Sequence, residues 1–213
     1  MAFVVAVDGP SGVGKGTLAR RIAQHYGWDF LDTGALYRAV GLAALATNVD
    51  LGDSDGLTRL ARGIDPTLLD DPALREEAVG QAASRVAADP AVRQALFEFQ
   101  RRFAMSPPCG VGAVIDGRDI GTVICPEAQV KLFLSASPRA RAERRARQLG
   151  VEDDADEVAR ITRDMEERDA RDSSRASAPL KPAPDAHLLD TTNLDIDSTF
   201  RAALAIIEDH PAL

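Results

Sequence analysis

A glycine-rich segment near the start of the chain carries the residues best suited to phosphate chemistry. It runs Gly9-Pro10-Ser11-Gly12-Val13-Gly14-Lys15-Gly16-Thr17. The spacing Gly-x-x-x-x-Gly-Lys is that of a P-loop, in which backbone N–H groups wrap around phosphates and the lysine supplies a compact positive charge. Only three of the 25 basic residues are lysines. A lysine at this point therefore favours a phosphate site over a glycine-rich turn without a ligand.

The residue after Lys15 departs from the general P-loop pattern. That position usually holds a serine or threonine that ligates Mg²⁺, but here it is Gly16, and the hydroxyl comes one residue later at Thr17. The sequence therefore identifies no direct protein ligand for the metal. The chain also lacks the Asn-Lys-x-Asp motif of GTPases, so the P-loop by itself indicates a nucleoside triphosphate and no more.

A second candidate site lies at the start of a predicted helix, in Asp32-Thr33-Gly34-Ala35-Leu36-Tyr37-Arg38. Thr33 stands at the helix start and Arg38 follows about one turn later. Two interpretations are about equally supported: Thr33 as an ordinary N-cap, or Thr33 and Arg38 as an anion site.

A third candidate, Asp116-Gly117-Arg118-Asp119, follows a predicted buried strand. In parallel sheets ligands bind at the carboxyl ends of the strands, which favours a functional role for these charges over a solvated turn.

The fourth candidate is an arginine-rich helix. Arg168, Asp172 and Arg175 are spaced i, i+4 and i+7, so we expect them to share one helix face. A surface ladder of ion pairs remains an equally good interpretation of this run, and of the arginines between residues 139 and 147.

The elements that must position these residues alternate between strands and helices. This alternation predicts an α/β fold of the three-layer P-loop type, with a parallel sheet covered by helices. Between Gly52 and Met105 the pattern becomes helical and polar, without a strand strong enough to join the sheet. The predicted strands are Phe3–Val7, Trp28–Leu31, Val111–Ile115, Val130–Leu134 and His187–Leu189, and the predicted helices are the segment from the P-loop to Gly27, then Leu36–Leu45, Ser137–Gly150, Asp156–Ser173 and Ile196–His210.

Composition excludes several classes of protein. The chain has 213 residues, 45% of them hydrophobic, and a formal net charge of −8. An acidic chain is a poor partner for nucleic acid, and its apolar runs are too short to span a membrane. We expect a cytoplasmic protein with no nucleic-acid or membrane partner. Cys109 and Cys125 have neither metal-site nor C-x-x-C spacing and are expected to be reduced thiols.

The range of possible reactions narrows further because the sequence offers few candidate general bases. The three histidines lie in no serine or cysteine nucleophile motif. An acceptor that is itself a phosphate needs no base, since its second pKa of about 6 leaves it largely dianionic near neutral pH. The obstacle is then repulsion between two polyanions, which lysine, arginine and Mg²⁺ relieve.

Five motifs together resemble bacterial cytidylate kinase, from about Phe3 to Ile207. They are Asp8-Gly-Pro-Ser-Gly-Val-Gly-Lys-Gly-Thr17, Asp32-Thr-Gly-Ala-Leu-Tyr-Arg38, Asp116-Gly-Arg-Asp-Ile-Gly-Thr122, Arg168-Asp-Ala-Arg-Asp172 and Ala178-Pro-Leu180. Related nucleoside monophosphate kinases carry Gly-Lys-Gly-Thr as well, so Gly16 follows the habit of the group.

The resemblance implies transfer of the γ-phosphate of MgATP to CMP or dCMP by a monomer. It implies one nucleoside monophosphate kinase domain over 1–213, with a monophosphate-binding insertion at about 33–105 and a lid at about 138–180. In the longer relatives the insertion carries a small sheet, but Asp65 to Ala83 leave little room for one. The alternatives are a kinase for UMP or AMP, and a P-loop protein that holds ATP without transferring phosphate.

The resemblance also assigns roles to residues. The ATP phosphates are assigned to Gly9, Pro10, Ser11, Gly12, Val13, Gly14, Lys15, Gly16 and Thr17, with Arg141 and Arg145 from the lid. The CMP phosphate is assigned to Thr33, Arg38 and Arg118, cytosine to Ser84, Arg93 and Asp119, and sugar and phosphates to Arg168, Asp172 and Arg175. The expected catalytic residues are Lys15, Arg118, Arg168 and Arg175.

Overall fold

Five strands form a single sheet in the order β2-β3-β1-β4-β5. The computed structural model describes residues 2–65, 67, 69 and 71–213. Strand β1 pairs in parallel with β3 and β4, and β4 pairs in parallel with β5. The predicted α/β fold with a parallel sheet is confirmed. The strands are β1 Phe3–Asp8, β2 Asp29–Asp32, β3 Gly112–Gly117, β4 Val130–Ser135 and β5 His187–Asp190.

Eight α-helices lie within the described residues, and several connect consecutive strands as expected for a parallel sheet. Short turns of other helix types include Pro72–Arg75 and Ile120–Ile124, the latter a π-helical turn. The helices are α1 Lys15–Tyr26, α2 Thr33–Thr47, α3 Ser54–Arg62, α4 Glu77–Val86, α5 Pro90–Met105, α6 Pro138–Leu149, α7 Ala155–Ser174 and α8 Ile196–Glu208.

The chain divides into two compact units, and the first contains residues 1–31 and 104–213. Strand β1 is buried over all six residues, as expected for a central strand of a parallel sheet. Its core joins α1 and α8 to the sheet through side chains such as Ile22, Leu132 and Ile207, which are almost fully buried.

The second unit contains residues 32–103 and has a core of its own. Leu36, Leu57, Val86 and Leu96 are among its buried side chains. Helices α2 and α4 pack closely at Gly41, where a Cβ would lie 3.1 Å from Ala82 Cβ. In the described part of this unit no strand follows β2, which agrees with the expected lack of a small sheet. The boundaries given above for the insertion and the lid remain predictions.

No helix in the described part of the chain has both the length and the apolar character needed to cross a bilayer.

Gly112→Ala is expected to destabilise the first unit. A Cβ at Gly112 would lie 2.6–2.8 Å from three atoms of the Trp28 ring, which is held between Phe3 and Tyr26 by stacking at centroid distances of 5.1 and 4.4 Å. Such overpacking costs about 1–3 kcal/mol. The measurement is urea unfolding followed by the fluorescence of Trp28, the single tryptophan.

Gly63→Ala is the matched control for this variant. Gly63 has a φ of −95°, and a Cβ there would meet its nearest atoms only at 3.6 and 3.7 Å. Equal unfolding midpoints for the two variants would show that the first unit accepts a side chain at position 112 beside Trp28 without loss of stability.

Candidate active site

The glycine-rich segment forms the turn between β1 and α1. Gly12 and Gly14 have φ angles of +76° and +90°, which side chains other than glycine rarely adopt. Gly14 caps α1 and Lys15 is its first residue, so the N–H groups at the start of the helix face the loop. This is the geometry of an anion site at a helix N-terminus.

Lys15 lies beneath this loop beside a carboxylate. The residue is 8% exposed. Its ammonium group donates to the Pro10 carbonyl at 3.1 Å and lies 4.0 Å from Asp116 Oδ1. Asp116 reaches this position because it pairs in register with Val7, just before the P-loop. A Cβ at Gly16 would lie 3.1 Å from Asp116 Oδ2. A side chain after Lys15 would require this carboxylate to move by a few tenths of an ångström.

The segment that carries Arg118 and Asp119 is tied to the end of β1. The buried Asp8 carboxylate accepts hydrogen bonds from the N–H groups of Ile120 and Gly121, each at 2.8 Å. Burial raises the pKa of Asp8 to about 6, although the two N–H groups oppose the shift. Asp8 begins the first motif identified in the sequence, but its spacing did not indicate this role.

The structure brings Arg118, Arg168, Asp172 and Arg175 together. Arg118 Nε donates to Asp172 Oδ2 at 2.9 Å, and Asp172 is only 3% exposed. Burial alone would raise the pKa of Asp172, but the charges of the three arginines outweigh it and hold that pKa below its usual range. The surface ion-pair ladder is therefore wrong for this part of α7.

Helix α7 ends at Ser174, and Arg175 is its C-cap residue, with φ −57° and ψ 135°. Because its φ is still helical, its side chain leaves the backbone on the face expected from the i, i+4 and i+7 spacing. The Nε of Arg175 donates to the carbonyl of Asp172 at 3.2 Å.

Helices α6 and α7 lie directly against the P-loop. Arg141 on α6 is 6% exposed and donates through Nη1 to the Ser11 carbonyl at 3.1 Å and to the carboxylate of Asp169 on α7. The same carboxylate accepts from the Ser11 N–H at 3.3 Å. Asp169 was not among the residues predicted from sequence. Arg145 follows Arg141 by four residues on α6 and is half-buried.

The remaining predicted residues belong to the second unit. The cap of α2 is Asp32, whose Oδ1 accepts from Ala35 N at 3.2 Å. Thr33 is the first residue of the helix and is buried, so its interpretation as the N-cap is wrong. Arg38 donates to the Leu74 carbonyl at 2.8 Å.

Ser84 and Arg93 lie within this unit on α4 and α5. They are 3% and 8% exposed. The Arg93 guanidinium donates to the Ala87 carbonyl at 3.3 Å and lies 5.6 Å from the centre of the Tyr37 ring. The structure thus places both side chains inside the second unit, and their role in cytosine recognition stays a prediction.

The first unit thus combines a P-loop, a buried lysine and a cluster of arginines held by carboxylates. Within the described residues no group of three or more histidine, cysteine, aspartate or glutamate side chains could hold a metal ion. This arrangement suits electrostatic stabilisation of phosphates in transfer. Fold and site together define a P-loop α/β protein of the kinase type.

Comparison with known proteins gives the family. The family model for cytidylate kinase matches residues 5–209. A cytidylate kinase of Rhodopseudomonas palustris (strain BisA53) is 54% identical over 206 residues, covering 97% of this chain and 96% of the relative. One of Paramagnetospirillum magneticum (strain ATCC 700264 / AMB-1) is 53% identical over 207 residues, covering 97% and 98%. The chain belongs to the cytidylate kinase family, and the resemblance stated above is confirmed.

Solved structures support the fold. The crystal structure of a gluconokinase from Sinorhizobium meliloti 1021 has a TM-score of 0.53 and 16% sequence identity, covering 97% of this chain and 91% of that one. At this identity the likeness concerns the fold alone.

Asp8→Asn is expected to change how stability depends on pH. The pKa of Asp8 is about 6 in the folded chain, against an ordinary value of 3.8 for an aspartate, so the native state holds the proton more tightly. Between about pH 4 and pH 7 the wild type should therefore lose up to about 3 kcal/mol of unfolding free energy relative to the variant as pH rises. Urea unfolding of both proteins across this range measures the difference.

Asp190→Asn is the control with the opposite sign. Hydrogen bonds from Thr192 hold the pKa of the exposed Asp190 below its usual value, so the wild type should gain stability relative to this variant as pH rises. If the unfolding free energies of the wild type and Asp8→Asn changed with pH in parallel, that result would contradict the raised pKa of Asp8.

Proposed function

We propose that the chain transfers the γ-phosphate of MgATP to CMP or dCMP, giving ADP and CDP or dCDP, a step of pyrimidine nucleotide metabolism. The observation that carries the proposal is the arginine cluster around Asp172, built beside a P-loop in a member of the cytidylate kinase family. We expect the enzyme to act as a monomer in the cytoplasm.

The arginine cluster answers the main electrostatic difficulty of this reaction. The acceptor phosphate is largely dianionic near neutral pH, so it attacks without a general base, but it must approach a triphosphate that is also negative. Arg118, Arg168 and Arg175 supply positive charge where the two anions meet, and Lys15 supplies it beneath the P-loop. Such fixed charges stabilise the transition state without reorganisation at the moment of reaction.

The two substrates are assigned to different residues. We assign the ATP phosphates to Gly9 through Thr17, with Arg141 and Arg145 as further contacts. Arg141 is supported by its hydrogen bond to the Ser11 carbonyl. The CMP phosphate is assigned to Thr33, Arg38 and Arg118, and its sugar and phosphate also to Arg168, Asp172 and Arg175.

Cytosine recognition is assigned to Ser84, Arg93 and Asp119, all of which are buried. A carboxylate or hydroxyl accepts from the exocyclic amine of cytosine, and an arginine donates to its O2 and N3. Uracil presents the reverse pattern at position 4 and at N3, where it has a carbonyl oxygen and an N–H, so groups arranged for cytosine would be left unpaired there by uracil.

The residues beside Lys15 fit a magnesium ion that accompanies ATP. Mg²⁺ takes oxygen ligands and usually uses one or two carboxylates together with phosphates and water. The buried Asp116 carboxylate lies next to Lys15 and Gly16. We assign this carboxylate to the metal. When bound, the ion would neutralise negative charge on the ATP phosphates.

The experiment that tests the function is coupled ADP production with MgATP and, in parallel, CMP, dCMP, UMP or AMP. We expect CMP and dCMP to give the highest kcat/KM. If UMP or AMP were preferred, the assignments of Ser84, Arg93 and Asp119 would be wrong while those of the P-loop would stand. ATP binding without any acceptor-dependent ADP release would overturn the function itself.

Arg118→Ala is expected to lower turnover by about 100- to 1,000-fold while ATP affinity stays nearly unchanged, because the lost charge acts on the phosphates in transfer. Arg118→Lys keeps the positive charge but loses the forked set of guanidinium donors, so its turnover should lie between those of Arg118→Ala and the wild type. Arg163→Ala, an exposed change on α7, is the control. Steady-state kinetics and an ATP titration measure both effects, and a collapse of ATP binding in Arg118→Ala would contradict the acceptor-side assignment.

A further inference from the structure

Thr191, the residue directly after β5, contacts the P-loop from the far end of the chain. It is 1% exposed, and its Oγ1 lies 3.2 Å from the carbonyl oxygen of Val13, 178 residues away in sequence. We propose that Thr191, anchored by Arg144 of α6, is a positioning residue that orients the Val13–Gly14 peptide of the P-loop for phosphate binding. The inference rests on the proposed function, in which this loop binds ATP.

The hydrogen bonds around the hydroxyl fix its direction. Arg144 Nη1 donates to Thr191 Oγ1 at 3.0 Å. An arginine can only donate, so the hydroxyl accepts there and turns its single proton elsewhere. Two carbonyls are within reach, those of Val13 at 3.2 Å and Ser135 at 3.1 Å. The Ser135 carbonyl already accepts the Thr191 backbone N–H at 2.8 Å, so donation to Val13 gives both carbonyls a donor.

Arg144 holds Thr191 at more than one point. Its Nη2 donates to the carbonyl of Thr191 and, at 3.3 Å, to that of Leu194. The guanidinium thus binds both the backbone and the side chain of the threonine. Because its donors are in a rigid plane, Arg144 fixes the threonine hydroxyl relative to α6.

The orientation of one peptide group then follows from covalent geometry. A trans peptide is planar, and its C=O and N–H point in opposite directions. A hydrogen bond that holds the Val13 carbonyl towards Thr191 therefore turns the Gly14 N–H away from Thr191, on the side opposite to β5. Gly14 has a φ of +90° and caps α1. Because glycine restricts its own backbone little, this peptide needs an external contact to keep one orientation.

The proposal assigns Thr191 to the ATP side of the reaction only. Loss of the hydroxyl should leave the loop in place but allow the Gly14 N–H to point in more than one direction, and each misdirected N–H weakens the hold on a phosphate. We expect the dissociation constant of MgATP to rise about tenfold, with the KM for CMP unchanged.

The test compares three threonine variants. Thr191→Val removes the hydroxyl with little change of shape, and Thr191→Ser restores it. Thr199→Val is the matched control: Thr199 is also buried, at 8% exposed, but its hydroxyl donates at 2.8 Å to the carbonyl of Asp195, the N-cap of its own helix. Calorimetric titration with MgATP and steady-state KM values for ATP and CMP are measured on all three and on the wild type.

We expect Thr191→Val to bind MgATP about tenfold more weakly than the wild type, while Thr191→Ser and Thr199→Val bind it about as the wild type does. Equal affinities of Thr191→Val and Thr199→Val would overturn the inference. So would a parallel rise of KM for ATP and CMP, or a failure of serine to restore binding, since a general loss of structure gives those results.

Two further measurements keep the test decisive. If the urea unfolding curve shows that Thr191→Val does not fold, Arg144→Gln takes its place. We expect this variant to raise the KM for ATP by a smaller factor and to leave the KM for CMP unchanged. An unchanged KM for ATP would contradict the proposal. If the wild type itself does not bind MgATP, the proposed function fails and this inference with it. That outcome is measured on the wild type alone, so it is distinguishable from a failure of the role proposed for Thr191.

Discussion

The carboxyl end of β1 is the point on which the geometry of the first unit depends. Because β1 pairs in parallel with β3 on one side and β4 on the other, the ends of three strands meet at one edge of the sheet. The register places Asp8 opposite Gly117 and Phe133, so the loops that follow the three strands begin side by side. A shift of one residue in either pair would turn every side chain at this edge to the opposite face.

Burying charge at this edge requires partners, and the structure supplies them in pairs. Lys15 lies beside Asp116, Arg118 beside Asp172 and Arg141 beside Asp169. A charge buried without compensation would cost several kcal/mol. The carboxylates therefore have two tasks: they make the burial of the cations tolerable, and they aim guanidinium groups whose own side chains are long and flexible.

The elements and the P-loop could be predicted from the sequence because their signals are local. The apolar run before Asp8, the glycine spacing and the lysine all lie within the first 17 residues, and the charged segment Asp116–Asp119 directly follows a buried strand. The positions of these charges relative to one another could not be predicted. Asp8 reaches Ile120 and Asp169 reaches Ser11 across separations of 112 and 158 residues, and no spacing rule covers such distances.

The error at the start of α2 has a physical cause as well. Asp32 and Thr33 are both good capping residues, and β2 continues to Asp32, which leaves Thr33 inside the helix. Further along the chain, α7 ends on Ser173 and Ser174, which favour helix ends over helix interiors.

The pairing of Arg118 and Arg141 with carboxylates also bears on how anions approach the protein. Asp172 and Asp169 offset these two charges at close range, within a chain of net charge −8, while Arg168 and Arg175 add positive charge beside the same Asp172. Such an arrangement projects a weaker positive field to a distance than an exposed cluster of unpaired arginines would. Capture then depends on an exchange at contact, in which a phosphate takes over guanidinium hydrogen bonds that carboxylates hold, so that discrimination between ligands arises after the encounter and not during it.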